Sequence, residues 1–356
     1  MQIKEIVKQI QPASEKWREK ARERLANLII PQGSLGDLLA LAEQLAAVKE
    51  TLKPSVQKKA VVVMAADHGV VEEGVSAYPA EVTPQMVANF VGGGAAVSVL
   101  AEVVGARVVV VDMGVAADLD HLAREGKILS RKVGFGTRNL VRGPAMSREQ
   151  AQQALHAGFA IAEELVREGY ELLATGDMGI GNTTPSSAIL AVFSGRPALE
   201  VTGRGTGISD EILENKVRVI EKAIAVNRPD PDDPLDVLAK VGGFEIGGLA
   251  GLILGAAARK TPVIIDGFIS SAAALLAKKL APSSVDYMIA GHLSTEQGHR
   301  LMLAELGKKP LLALNLRLGE GTGAVLAMPV VAAAANVMSK MLTFEEAGVS
   351  KKIPSS

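Results

Sequence analysis

The 356-residue sequence predicts an α/β fold with a doubly wound, mostly parallel sheet. The first observation is a set of short, continuous runs rich in Val, Ile and Leu, which is typical of strands buried on both faces of a parallel sheet. The second is that longer stretches with helical spacing, such as residues 146–169, separate these runs. Strands that alternate with helices form βαβ units, and such units build a doubly wound sheet.

Each candidate strand ends in a polar tip that contains glycine. The candidates are residues 59–69, 106–114, 170–179, 261–267, 285–292 and 310–321. Ligands of open α/β sheets bind outside the carboxyl ends of the strands, so we expect the tips to share one cavity. Gly and Asp are also ordinary turn residues, so any single tip could simply end a strand. In the last tip one acid, Glu320, lies between two glycines, and we expect it to face the cavity.

The two chain ends contain helical patterns and no strand-like run. Residues 1–30 and about 328–348 could pack together as a small helical annex, or they could cover an edge of the sheet. Residues 227–243 form a loop rich in Pro and Asp that leads into a helix. We find no fixed-period repeat and no low-complexity tract, so one main α/β unit is expected.

Composition excludes several classes of function. The net charge of -1 and the aromatic content of 3% argue against a nucleic-acid partner. The absence of cysteine rules out disulfides, a thiol nucleophile and a Cys-ligated zinc site, and it fits a reducing cytoplasm. The charged, amphipathic N-terminus does not resemble a signal peptide, and the apolar segments are interrupted, so we predict no membrane span. A cytoplasmic protein is therefore expected.

The stretch GDMGIGNTTPSSAI, residues 176–189, resembles a phosphate site at the start of a helix. Glycines follow a strand, and Thr184 is a plausible N-cap with Pro185 at the first helical position. Free backbone N–H groups and the positive end of a helix dipole suit a phosphate. The stretch is neither a Walker A loop nor a dinucleotide fingerprint, and it could be only a tight turn before a capped helix.

A second glycine loop, VTGRGTGIS at residues 201–209, precedes a helix that contains Lys216. Such a loop and lysine could bind a second anionic group or the far side of the same phosphate. The alternative is a solvated surface lysine, which is the more common situation.

The stretch of residues 67–96 suits a flat heterocycle, because Tyr78 and Phe90 are accompanied by neutral hydrogen-bonding side chains. These side chains are Ser76, Gln85 and Asn89. An ordinary loop with packing aromatics is the alternative, although a loop of this length without secondary structure would be unusual.

The histidines of AGHLSTEQGHRLML, residues 290–303, do not indicate a metal site. His292 and His299 lie two helical turns apart, but no third ligand completes a zinc pattern. His292 is better interpreted as a hydrogen-bonding residue at a strand tip, and Ser294 as a helix cap.

Several long motifs in the same order resemble nicotinate-nucleotide–dimethylbenzimidazole phosphoribosyltransferases, and the likeness extends over residues 31–349. The motifs are GDMGIGNTT, VSAYP, GRGTG, IIDGFISSAAALLA, GHLSTEQGH and LRLGEGTGA. The resemblance implies a Rossmann-like three-layer fold with a six-stranded sheet as the catalytic domain, residues 31–327. It also implies a small helical domain built from both chain ends, residues 1–30 and 328–356, and a homodimer.

The reaction implied by the resemblance transfers the 5-phosphoribosyl group of nicotinate mononucleotide to 5,6-dimethylbenzimidazole, with no cofactor and no metal. Glu320 would be the general base. The phosphoribosyl group would be surrounded by Gly179, Gly181, Asn182, Thr183, Gly203, Gly205, Lys216, Gly267 and Ser294. The benzimidazole would be bound by Ser76, Tyr78, Gln85, Met178 and Leu318.

One departure from the family pattern concerns Asp177, because the family usually has Glu at this position. A carboxylate displaced by one methylene can cost about 10²-fold in rate, so we assign Asp177 an assisting role. The chemistry needs only one base, since the pyridinium leaves as a neutral ring while the attacking benzimidazole loses one proton.

Two rival functions are open on the sequence alone. A Rossmann-type oxidoreductase would require a G-x-G-x-x-G fingerprint after the first strand, where this chain has Asp-His-Gly. A protein that binds a nucleotide or a benzimidazole without catalysis would explain the glycine loops but would not need Glu320.

Overall fold

The structure is a computed structural model that describes residues 3–205 and 207–350. Six strands form one sheet in the order β3-β2-β1-β4-β5-β6, and every neighbouring pair is parallel. The strands are β1 (Lys59–Ala66), β2 (Ala106–Gly114), β3 (Leu129–Ser130), β4 (Leu172–Met178), β5 (Val263–Ile265) and β6 (Met288–Ala290). The predicted Rossmann-like sheet of six mostly parallel strands is therefore confirmed.

Helices connect the strands and cover both faces. In the first half of the chain they are α1 (Ile3–Lys8), α2 (Glu15–Ala26), α3 (Asp37–Lys49), α4 (Val82–Val91), α5 (Ala96–Val104), α6 (Asp120–Arg124), α7 (Arg148–Arg167) and α8 (Thr183–Ser194). They continue as α9 (Ala198–Val201), α10 (Asp210–Asn227), α11 (Pro234–Val241), α12 (Phe244–Ala258), α13 (Phe268–Leu280), α14 (His299–Leu306), α15 (Thr322–Lys340) and α16 (Phe344–Ala347). The helix predicted in residues 146–169 is present as α7, and the Pro/Asp stretch leads into α11, which lies within residues 227–243.

Five of the six candidate strands contain β1, β2, β4, β5 and β6, but the sixth candidate is wrong. Residues 310–321 form a loop that lies beside the end of β6, where the N–H groups of Leu311 and Leu312 donate to Ala290 and Gly291. The run cannot stay extended because Asn315 has a left-handed φ of 57°. The sheet's sixth strand is instead the two-residue β3, which is too short to leave a pattern in the sequence.

The core consists of two apolar layers, one on each face of the sheet. Ala60, Val62 and Met64 of β1 face the layer that contains α7, α8, α12 and α13. Val61 and Val63 face the layer that contains α3, α5 and α15. Alternate residues of one strand thus enter different layers, which explains the continuous apolar run.

Both chain ends pack against α3 and against each other. Arg24 of α2 donates to the carbonyl oxygens of Met338 and Met341, and Leu28 forms a β-bridge with Thr343. The division into a catalytic domain of residues 31–327 and a helical domain from both ends stays a prediction. Residues 1–2, 206 and 351–356 of those two domains lie outside the described residues.

Two helical stretches are long and apolar enough to cross a membrane, contrary to the expectation that every apolar segment is too short. Thr322–Lys340 is 56% buried within the protein, where α15 packs in the core. Val82–Val104 is only 28% buried and combines α4 and α5, which Gly92–Gly94 separates. Core helices satisfy the same length and composition criteria, so the absence of a membrane span stays a prediction.

Candidate active site

Buried carboxylates cluster at the carboxyl edge of the sheet, near its centre. Asp67 follows β1, Asp177 lies at the end of β4, and Asp266 follows β5. In the sheet, β2 and β3 lie on one side of β1, and β4, β5 and β6 lie on its other side. The strand order therefore reverses between β1 and β4, which is the position where open α/β sheets bind ligands. Glu320 joins this edge, with a carbonyl oxygen packed against Gly176 of β4.

The turn that carries Glu320 is left-handed over three successive residues. The φ angles of Gly319, Glu320 and Gly321 are 88°, 62° and 97°. A side chain at Gly321 would be strained and would place its Cβ 2.6 Å from a methyl of Val61. Only glycines can flank Glu320 here, because both positions need positive φ and the turn lies directly on the sheet.

Glu320 is 6% exposed, and its carboxylate lies at the start of α5. Its Oε2 accepts a hydrogen bond of 3.1 Å from the Val97 N–H, and α5 has no side-chain cap of its own. Burial raises the pKa of Glu320, while the hydrogen bond from Val97 opposes this rise. A carboxylate with a raised pKa is a better proton acceptor, as a general base requires.

Asp177 lies beside this turn. The amide of Asn182 donates to its Oδ2 over 3.0 Å, and a Cβ at Gly319 would lie 3.3 Å from the same oxygen. Burial raises the pKa of Asp177 well above its usual value, and the charges of Asp266, Glu245 and Glu320 add to the rise. Its other oxygen, Oδ1, is buried without a hydrogen-bond partner among the described residues.

The two predicted phosphate loops meet at one lysine. The Lys216 Nζ donates to the Thr183 hydroxyl over 2.6 Å and lies 3.4 Å from the carbonyl oxygen of Gly203. A Cβ at Gly205 would lie 3.1 Å from the Thr183 hydroxyl. The turn of Gly179 and Gly181 leads into α8, so the predicted loops and Lys216 are neighbours.

The helix cap predicted beside this turn is wrong by two residues. The helix α8 begins at Thr183 with Asn182 as its N-cap, so Thr184 and Pro185 lie within its first turn. The Asn182 side chain donates to Asp177 and does not cap the helix, whereas the N–H groups of Asn182 and Thr184 donate to the carbonyl oxygens of Gly179 and Gly181.

Lys216 is 1% exposed, so the alternative of a solvated surface lysine is wrong. Burial lowers its pKa to about 8, and the nearby carboxylate of Glu296 opposes this shift. One oxygen of Glu296 is buried without a hydrogen-bond partner in the described ranges. A buried lysine that is held mainly by neutral groups is suited to receive an anion.

Ser294 and His292 do not have the predicted local roles. The Ser294 hydroxyl accepts from the Glu296 N–H over 3.2 Å, but α14 begins five residues later after Gly298, so Ser294 is not its cap. The His292 Nδ1 has no hydrogen-bond partner among the described residues and lies 3.7 Å from Asp266. A Cβ at Gly267 would be 3.4 Å from the His292 ring, so Gly267 and His292 are adjacent.

Residues 67–96 contain helical segments, so they are not a long loop without secondary structure. They contain a 3-10 turn at Gly69–Glu73, the helix α4 and the first residue of α5. Thr83 of α4 accepts from the Ile180 N–H over 3.1 Å, and this contact places the segment against the glycine turn. Phe90 is buried in the core, so it is not available as a binding surface.

The residues predicted to bind the heterocycle form an open surface. Tyr78 and Leu318 are 51% and 59% exposed, Gln85 is exposed, and Ser76 and Met178 are half-buried. The Ser76 hydroxyl accepts from the Tyr78 N–H over 3.2 Å. The hydrogen bonds from Ile180 to Thr83 and from Val97 to Glu320 bring this segment near Glu320.

Several buried polar residues of the site were not selected from the sequence. His68 and Glu245 form a hydrogen bond of 2.8 Å beneath Gly179. Burial lowers the pKa of His68, but the charge and hydrogen bond of Glu245 more than offset it, and the pKa is raised overall. Two of these residues could have been found from the sequence, because Asp266 ends the candidate strand 261–267 and Glu296 closely follows Ser294. No local pattern marks Glu245.

A cavity of about 210 Å³ lies beside the phosphate loops. It is lined by Leu293, Ser294, Thr295, Glu296, Gln297, Arg300, Ala313 and Asn315. Within the described residues, no group of three or more His, Asp or Glu side chains is arranged to hold a metal ion. Independence from a metal or cofactor stays a prediction, which an assay without added metal tests.

Comparisons with known proteins agree with one another. The model of a phosphoribosyltransferase family matches residues 10–349. The nicotinate-nucleotide–dimethylbenzimidazole phosphoribosyltransferase of Syntrophotalea carbinolica is 58% identical over 97% of this chain and 98% of that protein. The enzyme of the same name from Chloroflexus aggregans is 56% identical over 98% of each chain. The crystal structure of CobT from Thermus thermophilus superposes with a TM-score of 0.90 at 49% identity, over 95% of this chain and 100% of that one. The chain therefore belongs to the family of nicotinate-nucleotide–dimethylbenzimidazole phosphoribosyltransferases.

Proposed function

We propose that this protein transfers the 5-phosphoribosyl group of nicotinate mononucleotide to 5,6-dimethylbenzimidazole. The products are nicotinate and α-ribazole 5′-phosphate, which supplies the lower ligand of cobalamin. The names of relatives that match nearly the whole chain support this reaction. The single observation that carries it is Glu320, a buried carboxylate held on a glycine-flanked left-handed turn at the carboxyl edge of the sheet.

In this reaction one nitrogen of the benzimidazole attacks C1′ of the ribose while the bond from C1′ to the nicotinate nitrogen breaks. The leaving ring takes the bonding electron pair and becomes neutral, so it needs no acid. Glu320 accepts the proton from the other benzimidazole nitrogen. Attack from the face opposite the leaving ring inverts C1′ from β to α. A carboxylate near C1′ also stabilises the positive charge that develops there.

The phosphoribosyl group, in our proposal, occupies the space between the two glycine loops. Gly179, Gly181, Asn182 and Thr183 would surround it at the start of α8, where the helix dipole favours an anion. The other residues proposed to surround the phosphoribosyl group are Gly203, Gly205, Lys216, Gly267 and Ser294. Support comes from the Lys216 contact to Thr183 and Gly203, which joins both loops at one cation.

The benzimidazole, in our proposal, lies against α4 and the end of the loop that precedes α15. Tyr78 and Leu318 would contribute apolar surface, and Ser76 and Gln85 would contribute hydrogen bonds. Met178 would pack beneath the ring, where it now contacts the apolar layer that includes Met86. Because this surface is exposed in one subunit, a second subunit would have to close it.

We also propose a cytoplasmic homodimer. Val99 and Val103 lie one turn apart on α5 and are 52% and 80% exposed. Exposed apolar side chains on one helix face are typical of a protein interface. Val103→Asp should therefore give a monomer in light scattering and should raise the KM for the benzimidazole. Val226→Asp, on the exposed surface of α10, should leave a dimer, and a dimeric Val103→Asp protein would contradict this interface.

Asp177 is proposed to assist as a protonated acid. Asn resembles a protonated Asp, so Asp177→Asn should keep kcat within about 3-fold below the raised pKa of Asp177. Wild type and variant should diverge as the pH rises through that pKa, where only wild type becomes charged. Rates measured over the whole pH range in which the protein stays folded test this idea. A large loss that is constant over the whole range would mean instead that the ionised carboxylate is needed.

Product analysis by mass spectrometry tests the proposed function directly. The purified protein is mixed with nicotinate mononucleotide and 5,6-dimethylbenzimidazole without added metal, beside Glu320→Gln. Release of nicotinate with formation of α-ribazole phosphate by wild type alone supports the reaction and the base. Binding of both ligands by both proteins without product would favour a non-catalytic binding protein.

A further inference from the structure

The helix that follows Glu320 is capped by a residue from a different strand. The helix α15 begins at Thr322, its N-cap is Gly321, and no side chain of its own segment caps it. Asp266, which follows β5, accepts hydrogen bonds from the Gly321 N–H over 3.1 Å and from the Ala324 N–H over 2.9 Å. An aspartate more than fifty residues earlier in the chain therefore does the work of a local N-cap.

Asp266 is not available to react with a substrate. It is 1% exposed, and each of its two oxygens accepts one of these backbone hydrogen bonds. Burial raises its pKa to about 7, although the N–H groups of Ala324 and Gly321 oppose the rise. Its negative charge also faces the positive end of the long α15 dipole, which favours the charged form.

The turn before the helix needs such support. Glu320 is a non-glycine residue at a φ of 62°, a conformation that costs of order 1 kcal/mol and persists only when its surroundings hold it. The Thr322 N–H and hydroxyl both bond to the Gly319 carbonyl, over 3.0 Å and 2.9 Å. These bonds close the turn on itself, whereas the Asp266 bonds fix the turn relative to the sheet.

We propose that Asp266 is a positioning residue for the phosphoribosyl transfer, because it fixes the start of α15 on the sheet and thereby the place of Glu320. The kinetic consequence of this inference rests on the proposed function, whereas the hydrogen bonds of Asp266 to α15 do not. Asp266 acts through the backbone N–H groups of Gly321 and Ala324 and does not contact the reacting atoms. A small displacement of Glu320 would separate it from the benzimidazole proton, and a shift near 1 Å costs about 10²-fold.

Asp266→Asn is the test variant. Asn keeps one oxygen acceptor but turns an N–H₂ group towards a backbone N–H, so one of the two bonds is lost. We expect kcat to fall about 30-fold, with the KM for nicotinate mononucleotide changed by less than about 3-fold. Asp266→Ser serves the same purpose if the Asn variant does not fold. Asp233→Asn is the matched control, since Asp233 caps the N-terminus of α11, and it should keep the wild-type kcat.

A double variant separates positioning from general structural damage. If Asp266 acts only through Glu320, adding Asp266→Asn to Glu320→Gln lowers kcat by less than about 3-fold further. The proposal would be overturned if the two substitutions lowered kcat independently, so that their fold-losses multiplied in the double variant. A wild-type kcat in Asp266→Asn would overturn it as well. Hydrogen exchange in a peptide covering residues 316–324 should also be faster in Asp266→Asn, and unchanged exchange would overturn the contact even if wild type made no product. Wild type without product would contradict only the proposed function.

Discussion

Glu320→Gln protein should turn over about 10³-fold more slowly than wild type, with little change in the KM for nicotinate mononucleotide. Gln preserves the shape of the side chain and can still accept from Val97 N–H, so the turn and the start of α5 should stay in place. What is lost is the ability to take the benzimidazole proton as the new bond to C1′ forms. Steady-state rates of nicotinate release, with each substrate varied in turn, measure this change.

The matched control is Glu305→Gln, the same substitution on the exposed surface of α14, which should leave both kinetic constants unchanged. Thermal unfolding of all three proteins should agree closely, because no backbone contact is removed. Near-normal turnover by Glu320→Gln would remove Glu320 from the mechanism and would make Asp177 the next candidate base.

The pH dependence of wild type follows from the same residue. A base works only when it is unprotonated, and burial raises the pKa of Glu320 above its ordinary value. As the pH falls, kcat/KM should therefore begin to decline at a higher pH than for a solvent-exposed Glu. This acidic limb should be absent from the residual activity of Glu320→Gln, and an identical limb in both proteins would point to another group.

Lys216→Met should raise the KM for nicotinate mononucleotide about 10²-fold, because a buried charge-assisted contact to phosphate is lost. Met has nearly the length of the lysine stem and contains no charge, so the apolar packing within α10 is retained. Burial lowers the pKa of Lys216 to about 8, so the wild-type KM should also rise as the pH increases through that value. Initial rates over a wide range of donor concentration provide the measurement.

The sharper comparison uses nicotinate riboside, which lacks the phosphate. Wild type and Lys216→Met should use this poor donor equally well, because the missing group is the one that we propose Lys216 binds. Lys222→Met is the control, since Lys222 is exposed on the same helix. An equal loss with both donors would assign Lys216 a structural role between the two loops instead of phosphate binding.

Much of the sheet was predictable from the sequence because buried parallel strands are continuous apolar runs. The strand prediction was wrong for residues 310–321, which are apolar but do not form a strand of the sheet. A left-handed Asn315 and a three-residue left-handed turn keep that segment out of the sheet. The strand β3 was missed for the opposite reason. It pairs with β2 at only two residues, which is too short for a recognisable apolar pattern in the sequence.

The candidate site was predictable where motifs are local, and less so where contacts join distant segments. Glycine loops and the acid between glycines are visible in the sequence. Asp266 capping α15, Glu245 paired with His68, and Glu320 at the start of α5 all join residues far apart in the chain. Thr184 and Ser294 were assigned as caps from local rules, but α8 and α14 begin after Asn182 and Gly298, and neither helix has a side-chain cap.

The left-handed turn at residues 319–321 also determines where this enzyme can change over evolution or in a directed-evolution library. Any side chain at Gly319 or Gly321 meets a strained φ, and at Gly321 also a methyl of Val61, so both positions are closed to variation. Leu318, immediately before the turn, is exposed and free to vary, as is Gln85. In the proposed site, acceptor preference can therefore drift at residue 318 while the proposed base, Glu320, stays in place. Libraries aimed at new acceptor bases should diversify the exposed positions and leave the turn untouched.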